Sequence, residues 1–314
     1  MPGVTEILAG DDLLKDIQKW LSPLDPWKKI NNDHKLRYGD TGAWLVKGET
    51  LSEWKASRSG PSSLLWISGK RQLPPGVHIF PRELTAFTFR SGRWQERPLV
   101  SESSHILVLR TYDVHSSTII KEIETMQKSG HASLAVYYYD FKDKKNLKDL
   151  CGLLSSVIFQ LSKQSDSYHP ILSTFYSTHL DGTRAPSDDA LIRCLMDLLK
   201  LPGSRQVYLI VDALDECPST SSLSSPREEL LLLLEKLVDA KFPNLRICVT
   251  SRPEFDINTI LEPLAFRSVL LHDETGQQKD IRDYIESTVE RNEDWSRDLK
   301  QVVIDDLTKK AHGM

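Results

Sequence analysis

Val207-Tyr208-Leu209-Ile210-Val211-Asp212-Ala213-Leu214-Asp215-Glu216 sets five apolar residues directly before an acidic cluster. A run this short, rich in β-branched and aromatic residues, with Pro202-Gly203 before it and Pro218 after it, suits a central parallel strand covered on both faces. Ligands of open α/β sheets bind beyond the carboxyl ends of the strands, where this strand delivers its carboxylates. Asp212 would stand at the mouth of the sheet, near enough to hold a metal-bound water. Asp215 and Glu216 would be placed to orient an attacking water.

Working outward, helix and strand patterns alternate. Residues 64–68 (Leu-Leu-Trp-Ile-Ser), 134–139, 245–250 and 268–271 read as further strands. Residues 117–128 and 146–162 carry helical spacing, the second with Leu150, Leu154, Val157, Ile158 and Leu161 on one stripe. Ser187 is placed to cap a helix whose first turn holds Asp188 and Asp189. Ser225-Pro226-Arg227-Glu228 reads as a capping box with proline at the first helical position, opening a helix to about residue 240. Thr275 with Gln278 caps a helix to about residue 290, and a last helix covers residues 299–311. Toward the N-terminus, residues 11–21 are amphipathic, and Trp44, Leu45, Leu51 and Trp54 mark two short helical turns whose aromatic spacing suits a core. Parallel neighbours need crossover connections, so this order implies a mostly parallel sheet wrapped by helices. The expected organisation is an N-terminal helical arm over residues 1–60, an α/β domain over 61–290, and the start of a C-terminal helical region over 291–314.

Composition narrows the function classes. The chain has 314 residues, 39% hydrophobic and 27% charged, with a net charge of −4. That balance gives no electrostatic reason to expect nucleic acid or an anionic membrane as a partner. No basic stripe with interleaved aromatics occurs, and Lys142, Lys144 and Lys145 read as a solvated loop. Charged residues from Asp11 to Asp16 break any secretory apolar stretch, and residues 230–234 are too short to span a bilayer, so the expected location is cytoplasmic. Cys151, Cys194, Cys217 and Cys248 are widely spaced with no CxxC, as suits free buried thiols. Neither a GxSxG nucleophile elbow nor an HExxH metal pair is present.

The stretch from Val207 to Cys217, reading DALDEC at its end, and residues 245–254, reading TSRPE at their end, closely resemble NACHT-type signal-transduction NTPases of fungal immune-receptor-like proteins. These belong to the STAND class of P-loop NTPases, and the module is also described as a nephrocystin-like N-terminal domain. Residues 181–191 look like that group as well. The resemblance covers residues 64–69 and 117–314, and is looser in 40–55. It implies a P-loop NTPase-like fold, ATP or GTP with magnesium as cofactor, and a two-state relay between an effector and C-terminal repeats, with protein partners and self-association. Residue by residue, it implies a magnesium-associated acid at Asp212 and a water-positioning acid at Glu216, with Asp215 as the other candidate. It also implies a strand-end arginine at Arg252 looking toward the γ-phosphate. Relatives usually continue beyond the last residue here into helical, winged-helix-like and repeat regions.

One part of that pattern is missing. A phosphate loop needs GxxxxGK followed by Ser or Thr, because backbone N–H groups and a lysine must wrap the phosphates. Gly69 fits the first glycine, yet Lys70-Arg71-Gln72-Leu73-Pro74-Pro75 follows, with two prolines where N–H donors are needed. Residues 71–115 hold none of the chain's 22 lysines, but six arginines and four prolines. They are either a true insertion that abolishes the nucleotide site or the translation of a retained intron. An irregular excursion is expected there, with residues 106–109 as its one credible strand. The chain as written is therefore expected to bind ATP or GTP poorly and to hydrolyse neither at a useful rate. The other reading is a nucleotide-independent protein-interaction scaffold on a degenerate NTPase fold.

Overall fold

The structure is a computed structural model. It describes residues 4–27, 30, 41–56, 63–69, 85–90, 93–98, 111–139, 149–201, 205–219, 225–271, 275–291 and 295–312. In chain order the elements are helices α1 (Val4–Leu21), α2 (Ala43–Lys47) and α3 (Glu49–Ala56), strands β1 (Leu64–Ser68), β2 (Thr85–Arg90) and β3 (Arg93–Pro98), helix α4 (Thr111–Lys128), strand β4 (Ala132–Tyr138) and helix α5 (Leu150–Ser162). Then come α6 (His169–Thr178), α7 (Asp188–Lys200), β5 (Gln206–Asp212), α8 (Pro226–Asp239), β6 (Leu245–Ser251), α9 (Phe255–Leu264), β7 (Arg267–Leu270), α10 (Thr275–Glu290) and α11 (Arg297–His312).

Five strands form one sheet in the order β4-β5-β6-β1-β7, and every pairing in it is parallel. The fold is thus α/β, a P-loop-like parallel sheet flanked by helices. β1, β4, β5 and β6 are buried on both faces because alternate side chains enter two different apolar layers, whereas the edge strand β7 buries only Val269. Val207, Leu209 and Val211 of β5 join a cluster with residues of α1 and α5 to α9, while Tyr208 and Ile210 join one with α2, α3 and α4. That division is the physical reason β5 reads as an unbroken apolar run. Trp54, expected as core, is fully buried, and its indole N–H donates to the Ser63 carbonyl.

β4 forms an edge of the sheet, and exposed edges invite pairing with other chains. Two glutamines of the neighbouring helical segment close it. Gln160 accepts from the Val136 N–H and donates to the Val136 carbonyl at 3.0 and 2.8 Å. Gln164 does the same for Leu134 at 2.8 and 2.6 Å. Side-chain amides stand where another strand's backbone would pair.

The helix caps form as the sequence indicates: Ser187 accepts from the Ala190 N–H and Ser225 from the Glu228 N–H. Thr275 is the first residue of α10 and not a residue outside it, so that boundary shifts. The segment at 71–115 departs from expectation. The strand expected at 106–109 lies outside the described residues, and the segment holds an unexpected antiparallel ribbon, β2–β3, with Phe89 opposite Trp94 and Arg90 opposite Arg93. Its last residues already belong to α4, which begins at Thr111. Near the C-terminus, α10 and α11 share a small apolar cluster of their own, with Ile285, Val289, Val303 and Ile304 at its centre. No helix among the described residues is long and apolar enough to cross a membrane.

Candidate functional site

β6 lies between β1 and β5, so the carboxyl ends of three strands meet side by side: Ser68 and Gly69, Ser251 and Arg252, and Asp212. Asp212 is the last residue of β5. The residue is 4% exposed, and Oδ1 accepts a hydrogen bond from the Thr250 hydroxyl. The same hydroxyl accepts from the Ala213 N–H at 3.0 Å. Thr250 thereby fixes both the carboxylate and the backbone leaving it. Among the described residues no hydrogen bond reaches Asp212 Oδ2.

The chain turns sharply after Asp212. Ala213 takes the left-handed conformation, φ 54° and ψ 46°, and Leu214–Glu216 forms a single 3₁₀ turn pinned by the buried Leu214. A left-handed alanine is strained by about 1–2 kcal/mol, so the surroundings must hold it. Two arginines do so. The Arg252 backbone N–H donates to Asp215 Oδ1 at 3.0 Å, and its Nε lies 3.2 Å from Asp215 Oδ2. Arg227, with only 7% of its side chain exposed, donates through Nε to the Cys217 carbonyl and through Nη2 to the Asp215 carbonyl. Its Nη1 reaches Glu254 Oε2 at 2.6 Å and Asp256 Oδ2 at 3.2 Å. The acidic turn after β5 is therefore bolted to the loop after β6.

These contacts sort the expected site residues. Asp215 has both carboxylate oxygens committed to Arg252, which makes it a structural staple of the turn. Burial raises its pKa, and the Arg252 N–H and charge oppose the rise. Arg252 turns toward Asp215 in this arrangement, whereas the sequence suggested that it looks toward a phosphate. Glu216 is partly exposed in the same turn. Gly69 is buried directly after β1, and the hydroxyl of its neighbour Ser68 is buried with no hydrogen-bond partner among the described residues. Ser68 is the last residue of β1.

Magnesium uses one or two carboxylates together with substrate phosphates. Asp212 offers one such carboxylate, and among the described residues no group of three or more His, Cys, Asp or Glu could hold a metal ion by itself. The carboxylate half of the site fits the ion. The sequence after Gly69 lacks the glycine-rich lysine loop that would wrap a triphosphate. Residues 70–84 lie outside the described residues.

The sequence assigns Thr250 and Arg227 no functional role of their own, yet they hold the site together. Arg227 did leave a clue: a cation in the first turn of a helix opposes the helix dipole, which implies a dedicated counter-charge. Here Glu254 and Asp256 supply it. Burial pushes the Cys194 thiol up to about 12 and raises that of Cys248 as well.

Residues 113–252 match the family described as nephrocystin 3, N-terminal. The match runs from α4 to the end of β6, less than half of the chain. It contains Asp212, Asp215, Glu216, Arg227, Thr250 and Arg252, and excludes β1, Gly69 and the ribbon. A nephrocystin-like segment therefore begins close to where the atypical stretch ends. No curated protein matches the chain.

Proposed function

We propose that this chain is a NACHT-like signal-transduction NTPase module of the fungal NLR-like type, whose metal-holding half persists and whose grip on triphosphate is lost. The observation that carries the reading is the buried Asp212 carboxylate at the carboxyl end of β5, clamped by Thr250 and one strand removed from the end of β1. Such a carboxylate is costly to bury without a ligand or a partner. ATP or GTP with magnesium is the ligand class that this half of the site suits, and a protein effector or a second copy is the partner class that a relay requires.

Affinity is where the chain departs from a working switch. A micromolar dissociation constant corresponds to roughly 8 kcal/mol. Each charge-assisted hydrogen bond of the missing loop contributes about 1.5–3 kcal/mol, so the loss of several removes most of it. The test is calorimetric titration with magnesium-ATP and magnesium-GTP. Millimolar or weaker binding is expected for both, and micromolar binding that requires magnesium and disappears in Asp212→Asn refutes the reading.

A nucleotide-independent scaffold is favoured by one observation: Arg227 and Arg252 lock the acidic turn using protein groups alone. Asp212→Asn separates the two. A residual switch changes its partner association when nucleotide is added and loses that response in the variant, whereas a scaffold associates identically in both.

A further inference from the structure

Gly42 and Trp44 form a corner at the start of α2 that meets α10 more than two hundred residues later in the chain. Both the Gly42 backbone N–H and the Trp44 indole N–H donate to Asp280 Oδ2, at 2.7 and 2.9 Å. The indole lies against Gly276, one turn earlier on α10. A Cβ at Gly276 would stand 2.2 Å from Trp44 Cγ, so only glycine fits there. Gly42 is equally constrained: its φ of +79° is left-handed, and a Cβ would stand 2.9 Å from the Thr118 hydroxyl. That hydroxyl donates to the Thr41 carbonyl at 3.3 Å, which seats the corner on α4.

The two sides of this contact have separate apolar supports. α2 and α3 are anchored in the sheet body through Leu45, Leu51 and Trp54. α10 and α11 are held to each other by their own small cluster. Small, separately clustered elements open at lower cost than the main core.

We propose that the Trp44–Asp280 contact is a latch that fastens the α10–α11 pair to the N-terminal arm, and that the pair swings as a rigid unit when the latch opens. The device goes beyond the functional reading above, because it needs no nucleotide. It makes the arm a control point for whatever the C-terminal helices carry.

The test uses the full chain with Cys151→Ser and spin labels on cysteines placed at the exposed positions Lys121 of α4 and Val302 of α11. Pulsed electron–electron distances should give one narrow population in the parent. Gly276→Ala and Asp280→Ala should each add a longer-distance population, roughly tenfold or more above its level in the parent, as expected for losing two hydrogen bonds and the indole contact. Trp44→Phe, which keeps the ring and loses the N–H, should fall between. A second label pair at Lys121 and Arg193, within the sheet body, should not change in any variant. Unchanged Lys121–Val302 distances in both alanine variants overturn the proposal. So does broadening of both label pairs together, which would make the corner part of the common core. Gly276→Ala also guards against a trivial outcome, because alanine favours the helix while displacing the indole.

Discussion

Replacing Arg227 by alanine should destabilise the protein by about 3 kcal/mol, a figure that follows from what its guanidinium touches. Two of its acceptors, the Asp215 and Cys217 carbonyls, belong to the strained turn after β5. Stranding a buried acceptor costs roughly 1–3 kcal/mol, and the low end applies where a turn can relax toward water. The other two acceptors, Glu254 and Asp256, are 38% and 44% exposed, so solvent reclaims them when the arginine goes. Their ionic share is discounted to about 1 kcal/mol in all. The total sits at the lower edge of the roughly 3–5 kcal/mol seen when one partner of a buried ion pair is removed. Arg227→Lys keeps the charge, but one ammonium cannot serve acceptors in three directions, and about 2 kcal/mol should still be lost. Urea denaturation followed by tryptophan fluorescence measures both variants, and hydrogen exchange should rise selectively at residues 214–217 and 252–256. An alanine variant within about 1 kcal/mol of the parent would refute the bolt reading, as would a lysine variant equal to it.

Gln160→Leu should cost about 2–3 kcal/mol, since it strands the Val136 N–H and carbonyl on a sheet edge, and should promote self-association visible by light scattering. An unaltered melting midpoint and a monodisperse sample would contradict the edge-closing role. The pKa values of Asp188, Asp215 and Asp280 are all raised, in each case chiefly by burial. Each folded carboxyl holds its proton to a higher pH than the unfolded group at 3.8. Their favourable contribution is therefore fully present below 3.8 and is lost as pH rises through the raised values. Asp215→Asn removes one such component, so its stability relative to the parent should climb as pH goes from 4 to 7; a relative decline over that range would reverse the sign assigned here.

How much of the site was legible depended on the range of each interaction. Asp212 was readable because a buried strand announces its own end, and Ser187 and Ser225 because a cap bonds only three residues ahead. α9 escaped periodicity, since Pro253 precedes it and Pro263 sits in its last turn. The ribbon at residues 85–98 was missed because its alternation is mixed with arginine and proline. Arg252 was readable as a strand-end residue, but its contact with Asp215 was not. Its partner, Asp215, stands 37 positions away and competes for the guanidinium in a way that no local pattern reports.

The sequence by itself determined the parallel α/β class, the strand that bears the acids, and the lack of a glycine-rich lysine loop, because periodicity, caps and motifs are written in neighbouring residues. Tertiary structure alone decided that Asp215 is a staple, that Arg227 joins two loops, that glutamines close the β4 edge, and that Trp44 meets Asp280. Each of those rests on a hydrogen bond between residues brought together only by folding, and a charge or amide has many chemically equivalent partners until the packed core permits one.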